Sequence, residues 1–234
     1  MATFNGEKYI KQQVDSILIQ LGNEDEIIIS DDYSTDNTIQ IVKEINDVRI
    51  KIIMNTSKRG VTNNFENALM FTKGDFIFLA DQDDIWLPNK VSICCKALEE
   101  NDLVVSNCIV VDKDSNLVHP SYFEIANSQK GFFKNLFRSS YLGCCIAFRK
   151  EILHKILPIP KSLLLFHDWW FGFISDFCFK VRFIEDPCIY YRRHEGTSSN
   201  TLSKSNLSLS NKVIFRVQLL YLGLIRVIKI KMKL

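Results

Sequence analysis

The chain has 234 residues, 47% hydrophobic and 24% charged, a balance that supports one packed body and excludes a disordered or fibrous protein. Its formal charge of +2 hides an asymmetry: residues 201–234 hold seven Lys and Arg and no Asp or Glu, which leaves −5 for the first 200. An acidic body argues against nucleic acid as a partner, and with neither an uncharged apolar run of about 18 residues nor a basic-then-apolar N-terminus, a cytoplasmic protein is expected.

In chain order, residues 9–20 space their apolar side chains as a helix, and residues 26–30 form a short buried strand running into Asp31 and Asp32. Thr35 or Asp36 caps a helix to about residue 46, residues 50–54 make a second strand, and residues 61–71 a helix closed by Gly74. Residues 76–80 are a strand that again stops at acids. Pro88 suits the first turn of a helix reaching residue 100, and residues 103–111 are a strand. From about Ser121 the alternation weakens and aromatic residues accumulate, so strands and short helices are expected. The seven cysteines include the adjacent pairs Cys94-Cys95 and Cys144-Cys145 with no CxxC spacing, and read as reduced core residues.

Alternating strands and helices predict an α/β, Rossmann-like fold with a mostly parallel sheet and helices on both faces, in which ligands gather at the carboxyl ends of strands. Both acidic clusters lie at such ends. Residues 1–110 and 111–200 are expected to form two halves of the same domain, and 201–234 a basic amphipathic tail. Only Met1 to Phe4 precede the Asn5-Gly6 turn, so the chain is expected to begin inside its first strand.

The sharpest motif is Asp81-Gln82-Asp83-Asp84-Ile85-Trp86, three carboxylates in four positions after an apolar strand. Two unit charges about 4 Å apart interact by roughly 4 kcal/mol at an effective dielectric near 20, so the cluster calls for a divalent cation, and oxygen ligands suit Mg²⁺ or Mn²⁺. A solvated acidic turn capping the next helix is the alternative. The cluster Asp31-Asp32-Tyr33-Ser34-Thr35-Asp36 reads equally as an Asx-type turn.

Together, the Ala2-Thr3-Phe4-Asn5-Gly6 segment, the Asp31-Asp32 cluster and the Asp81–Trp86 motif with Lys90 resemble the second family of glycosyltransferases, of GT-A fold, over residues 1–110. The resemblance implies that residues 1–110 bind the nucleotide-sugar donor and residues 111–200 form the acceptor-binding, catalytic half, and that Thr3, Asn5, Asp31 and Asp32 hold the nucleoside. It implies that Asp81 and Asp83 bind the metal and the donor diphosphate, with Asp84 an alternative ligand. The Asp-Gln-Asp-Asp-x-Trp form, with Gly60-Val61-Thr62-Asn63-Asn64-Phe65, is similar to rhamnosyltransferase-like members and suggests a dTDP-L-rhamnose donor, UDP-sugars being the alternative. Asp168, in Phe166-His167-Asp168-Trp169-Trp170, stands where the family places its catalytic base, with His167 as rival and a plain helix start as the bland reading. His194, in Tyr190-Tyr191-Arg192-Arg193-His194, resembles a late family segment that touches metal or diphosphate, while Arg192 and Arg193 are candidates to neutralise phosphate.

These features imply an inverting, metal-dependent glycosyltransferase acting on a glycan or lipid-linked glycan acceptor in surface polysaccharide synthesis. A non-catalytic nucleotide-sugar-binding or assembly protein is the runner-up. A sugar-phosphate nucleotidyltransferase is third, and lacks its Gly-rich loop. In residues 212–234, Lys212, Arg216, Arg226, Lys229 and Lys233 follow one side of a helix and apolar residues the rest. That composition fits peripheral attachment to the inner face of the cell membrane, or a helix packed on the body.

Overall fold

In the computed structural model the described residues are 1–161, 167–194 and 208–232. The first half runs β1 (Ala2–Thr3), α1 (Ile10–Leu18), β2 (Ile27–Asp31), α2 (Thr38–Ile45), β3 (Ile50–Met54), α3 (Val61–Met70), β4 (Phe76–Phe78), β5 (Ile85–Trp86), α4 (Lys90–Leu98) and β6 (Leu103–Val111). There follow β7 (Leu117–His119), α5 (Tyr122–Ala126), α6 (Phe132–Phe137), β8 (Ile146–Arg149), α7 (Leu153–Ile156), α8 (His167–Cys178), β9 (Val181–Arg192) and α9 (Leu209–Met232).

The fold is α/β, as expected, but the strands divide into two sheets. Strands β1, β2 and β3 form a parallel sheet in which Thr3 lies opposite Asp31 and Asp31 opposite Met54. The run Ile27 to Asp31 is buried throughout, the pattern of a strand covered on both faces. The second sheet, β4-β8-β6-β9-β5 with β7 beside β6, is mixed: β6 and β9 are parallel, whereas β8 runs antiparallel to β4 and β6, and β5 antiparallel to β9. The expectation of a mostly parallel sheet is corrected here, because the later strands return through loops and short helices rather than full crossovers.

Several boundaries shift for local reasons. The second helix starts at Thr38, whose N–H bonds Asp36 Oδ1 at 3.0 Å, so Asp36 acts one position ahead of the N-cap residue Asn37. Asn89, with φ of 69°, turns the chain after Pro88, and α4 begins only at Lys90. Cys94, Cys108, Cys144, Cys145 and Cys188 are buried, Cys95 and Cys178 partly so, and all seven are free thiols.

Helix α9 packs on α8. Gly223 allows the approach, since a Cβ there would lie 2.2 Å from Phe173 Cε1. Phe215, Leu219 and Val227 are buried, and Arg226 stacks on Trp170 while donating to the carbonyls of Lys155, Ile156, Leu157 and Pro158. Arg216 donates to the carbonyls of Leu136 and Phe137. These arginines are thus committed to the body. The opposite side of α9 leaves Val213, Val217, Tyr221, Leu224 and Ile228 exposed. Among the described residues no helix is long and apolar enough to cross a membrane.

Candidate active site

The two acidic clusters converge at the carboxyl ends of β1, β2 and β4. Thr3 Oγ1 donates to Asp31 Oδ1 at 3.1 Å, tying the last residue of β1 to the last of β2. The following turn places Asn5 at φ of 49°, a conformation Asn tolerates better than most residues. Its side-chain oxygen accepts the Thr35 N–H at 2.8 Å, and its own N–H donates to Ser34 Oγ at 2.9 Å. Asp31 also accepts from Ser34 N–H and Oγ, at 2.8 and 2.6 Å. Asp32 accepts from Asn55 Nδ2 at 2.7 Å and Gly60 N–H at 2.8 Å. The four residues expected to hold a nucleoside therefore form one bonded rim, with Asp31 and Asp32 bound mainly to protein donors.

Gln82 joins this rim to the second cluster. Its amide oxygen accepts the Phe4 N–H at 2.9 Å and its amide nitrogen donates to the Phe4 carbonyl at 3.0 Å, as a neighbouring strand would. Gln13 holds the other side of the loop through the Asp81 carbonyl at 2.8 Å. Gln82 falls inside the acidic motif, but nothing in the sequence shows that it or Gln13 points inward.

Arg192 is the hub of the acidic loop. It is 2% exposed; its N–H bonds Asp84 Oδ1 at 3.0 Å and its Nε the Asp83 carbonyl at 2.8 Å. Its remaining nitrogens donate to Lys113 O, Ser115 Oγ and Gln12 Oε1, and its guanidinium lies 4.7 Å from the Tyr9 ring centroid. The expectation that Arg192 neutralises phosphate is corrected accordingly, because every arm is occupied within the protein. Beside it, His194 Nε2 lies 2.9 Å from Asp83 Oδ2, and its ring packs on Tyr9.

The carboxyl groups respond to one another. Burial, then the charges of Asp83 and Asp168, push Asp81 up to about 7. Burial followed by Asp83 and Asp81 holds Asp84 well above the usual carboxylate range. Asp84 is 1% exposed, and its Oδ2 has no hydrogen-bond partner. Ligand atoms of Asp81, Asp84 and Cys144 lie within 4.8 Å of one another. Crowded carboxylates and an orphaned buried oxygen fit a hard divalent cation, which would satisfy that oxygen and relieve the repulsion.

At the start of α8, burial pushes Asp168 up to about 7, and its Oδ1 accepts the Trp169 N–H at 2.8 Å. His167, the rival base, packs against Phe65 at 4.1 Å and has no partner on either ring nitrogen. Burial drives it down to about 3, so the ring is neutral at ordinary pH. The Gly143–Cys145 turn leads into β8 and abuts this pair: a Cβ at Gly143 would lie 2.8 Å from His167 Nε2. Residues 195–207, Phe166 and Lys233 lie outside the described residues.

The chain superposes on Staphylococcus aureus TarS, solved in complex with UDP-GlcNAc, with a TM-score of 0.72 at 21% identity, covering 96% of this chain and 64% of that one. A mannosyltransferase from Pyrobaculum calidifontis, solved with GDP-Man and Mn²⁺, has a TM-score of 0.58 at 18% identity over 80% of this chain and 53% of that one. These define a GT-A-type glycosyltransferase fold. The sequence model of glycosyl transferase family 2 matches residues 1–157, and the chain belongs to that family. Among relatives, the dTDP-rhamnosyl transferase RfbG of Shigella flexneri is 30% identical, covering 97% of this chain and 79% of that protein. The Escherichia coli WfgD protein, a UDP-Glc:α-D-GlcNAc-diphosphoundecaprenol β-1,3-glucosyltransferase, is 28% identical over 75% of this chain and 68% of its own length.

Proposed function

We propose that this chain transfers a sugar from a nucleotide diphosphate donor to a glycan or lipid-linked glycan acceptor, with inversion and with a divalent metal. The observation that supports this reading is the crowding of acidic groups after β4, where ligand atoms of Asp81 and Asp84 lie within 4.8 Å of each other and the buried Asp84 Oδ2 has no hydrogen-bond partner, in a chain that belongs to glycosyl transferase family 2. The resemblance to RfbG supports a dTDP-L-rhamnose donor. The resemblance to WfgD supports an undecaprenol-diphosphate-linked acceptor and leaves UDP-sugars as the competing donors.

Thr3, Asn5, Asp31 and Asp32 form the rim that receives the nucleoside. Asp81, Asp83 and Asp84, with His194 beside Asp83, would hold Mg²⁺ or Mn²⁺, whose charge would stabilise the departing nucleotide diphosphate. Asp168 accepts the acceptor hydroxyl proton as that oxygen bonds the anomeric carbon and the bond from this carbon to the diphosphate oxygen breaks. One displacement inverts the anomeric centre. A base near pKa 7 is better matched to this task than an ordinary aspartate. The exposed apolar side of α9 with Lys229 and Lys231 would rest on an anionic membrane surface near such an acceptor.

Calorimetric titration with dTDP and UDP, with and without Mn²⁺, tests the donor site. Metal-dependent binding is expected, stronger for dTDP, and weakened more than about tenfold in Asp83→Ala, a loss of about 1.4 kcal/mol. Binding without turnover on any donor would favour the non-catalytic reading, and a product linkage of retained configuration by NMR would remove the single displacement.

A further inference from the structure

The segment from Gly60 to Phe65, which opens α3, meets two parts of the active site at once. Gly60 N–H donates to Asp32 Oδ2 at 2.8 Å, and Asn64 Nδ2 donates to the Thr3 carbonyl at 3.1 Å, so the start of the helix is bonded to the donor rim. Phe65, 1% exposed, lays its ring against His167, with centroids 4.1 Å apart and planes 35° from each other. Consecutive residues on a helix point about 100° apart, so Asn64 and Phe65 serve the two parts from adjacent positions.

No hydrogen bond directs the His167 ring. Among the described residues neither of its nitrogens has a partner. Unbonded buried polar atoms weaken a fold, so the ring keeps its place only because the surfaces around it fit. Phe65 covers it from α3, Phe171 meets it edge-on at 6.4 Å from the next turn of α8, and the Gly143 turn closes against Nε2. The same turn borders the neighbouring carboxylate, since a Cβ on Gly143 would lie 3.9 Å from Asp168 Cβ. A residue that directly follows a wedged ring in the first turn of a helix takes its backbone direction from that ring. What freedom remains to Asp168, rotation about its side-chain bonds, is restrained by the Trp169 N–H on Oδ1 at 2.8 Å.

We propose that Phe65 is a positioning residue for Asp168, acting through His167, and that the start of α3 thereby sets the distance between the donor rim and the base. This role presupposes Asp168 as the base of the glycosyl transfer. His167 is then a neutral spacer rather than a proton acceptor, in keeping with the burial that pushes it down to about 3. Precise placement matters because a reacting group displaced by about 1 Å can lose a factor of about 100 in rate.

The test compares Phe65→Leu with Leu69→Ala, a substitution one turn further along α3 at a residue that is also buried, both in the full chain. Phe65→Leu keeps the place apolar but removes the ring face. With dTDP-L-rhamnose or UDP-glucose as donor, it is expected to lower kcat about tenfold or more and leave the donor KM within about twofold. Leu69→Ala should change kcat by less than about threefold despite its own loss of stability. Two NMR signals read the geometry without turnover. The Trp169 amide, held by Asp168, should exchange with solvent at least about tenfold faster in Phe65→Leu than in Leu69→Ala. His167 should titrate far below the ordinary range in the parent and approach about 6.5 in Phe65→Leu, where water reaches the ring. Equal effects of the two substitutions on Trp169 exchange and on kcat would overturn the proposal, as would a parent His167 that titrates in the ordinary range. The two readings fail separately: turnover that survives Asp168→Asn removes the base, whereas the hold of Phe65 on Asp168 is judged by Trp169 exchange alone.

Discussion

Replacing Asp168 by Asn separates its function from its structural role. Burial raises this carboxyl from 3.8 to about 7, a difference of about three pH units. At 1.36 kcal/mol per unit the full shift corresponds to ~4 kcal/mol. The side chain keeps partial contact with solvent, so screening reduces the expected penalty to about 2 kcal/mol. The sign follows from linkage: with the folded value above the unfolded one, stability is full below about pH 4 and is lost as pH rises through about 7. Asn keeps an oxygen for the Trp169 N–H and never ionises. Asp168→Asn should therefore melt about 4–8 °C higher than the parent at pH 8 and equally at pH 4. As the base is gone, turnover should fall by about 10²–10⁴. In the parent, kcat/KM should decline below about pH 7, where the carboxyl holds its proton. Thermal melting across pH with a donor-consumption assay reads both effects. A melting temperature at pH 8 equal to or below the parent's, or turnover that survives, would refute the reasoning and leave Asp168 a helix-start residue.

Arg192→Lys keeps the charge but cannot serve Asp83, Lys113, Ser115 and Gln12 together, and should cost about 3 kcal/mol, read as a melting temperature lower by about 6–12 °C; an unchanged melting curve would deny its hub role. Gly143→Ala puts a methyl group into His167 and should displace the start of α8, lowering kcat at least about tenfold with donor affinity kept. Parallel losses of kcat and donor binding would point to general misfolding instead. Lys229→Glu with Lys231→Glu should weaken binding to anionic vesicles at low salt by ~1 kcal/mol or more per reversed charge, with catalysis on a soluble acceptor unchanged. Equal sedimentation with vesicles would leave α9 a purely structural helix.

The periodic elements of the first half were legible in the sequence because each is local. Apolar spacing marks α1, α2 and α3, and the buried run before Asp31 marks β2, since hydrophobic pattern and chain punctuation depend on neighbours a few residues away. The acidic loop was legible too, because three carboxylates in four positions are anomalous wherever they fall. Partnership across the chain was not. Arg192 reaches Asp83 and Asp84 over more than 100 positions of sequence, Gln82 pairs with Phe4 at the far end of the domain, and His167 differs from Asp168 only in which side of a turn faces Phe65. Whether a charged side chain meets solvent, phosphate or a buried carbonyl depends on packing that only the folded chain decides. The antiparallel return of β8 and the docking of α9 on α8 depend in the same way on which hydrophobic faces the fold brings together.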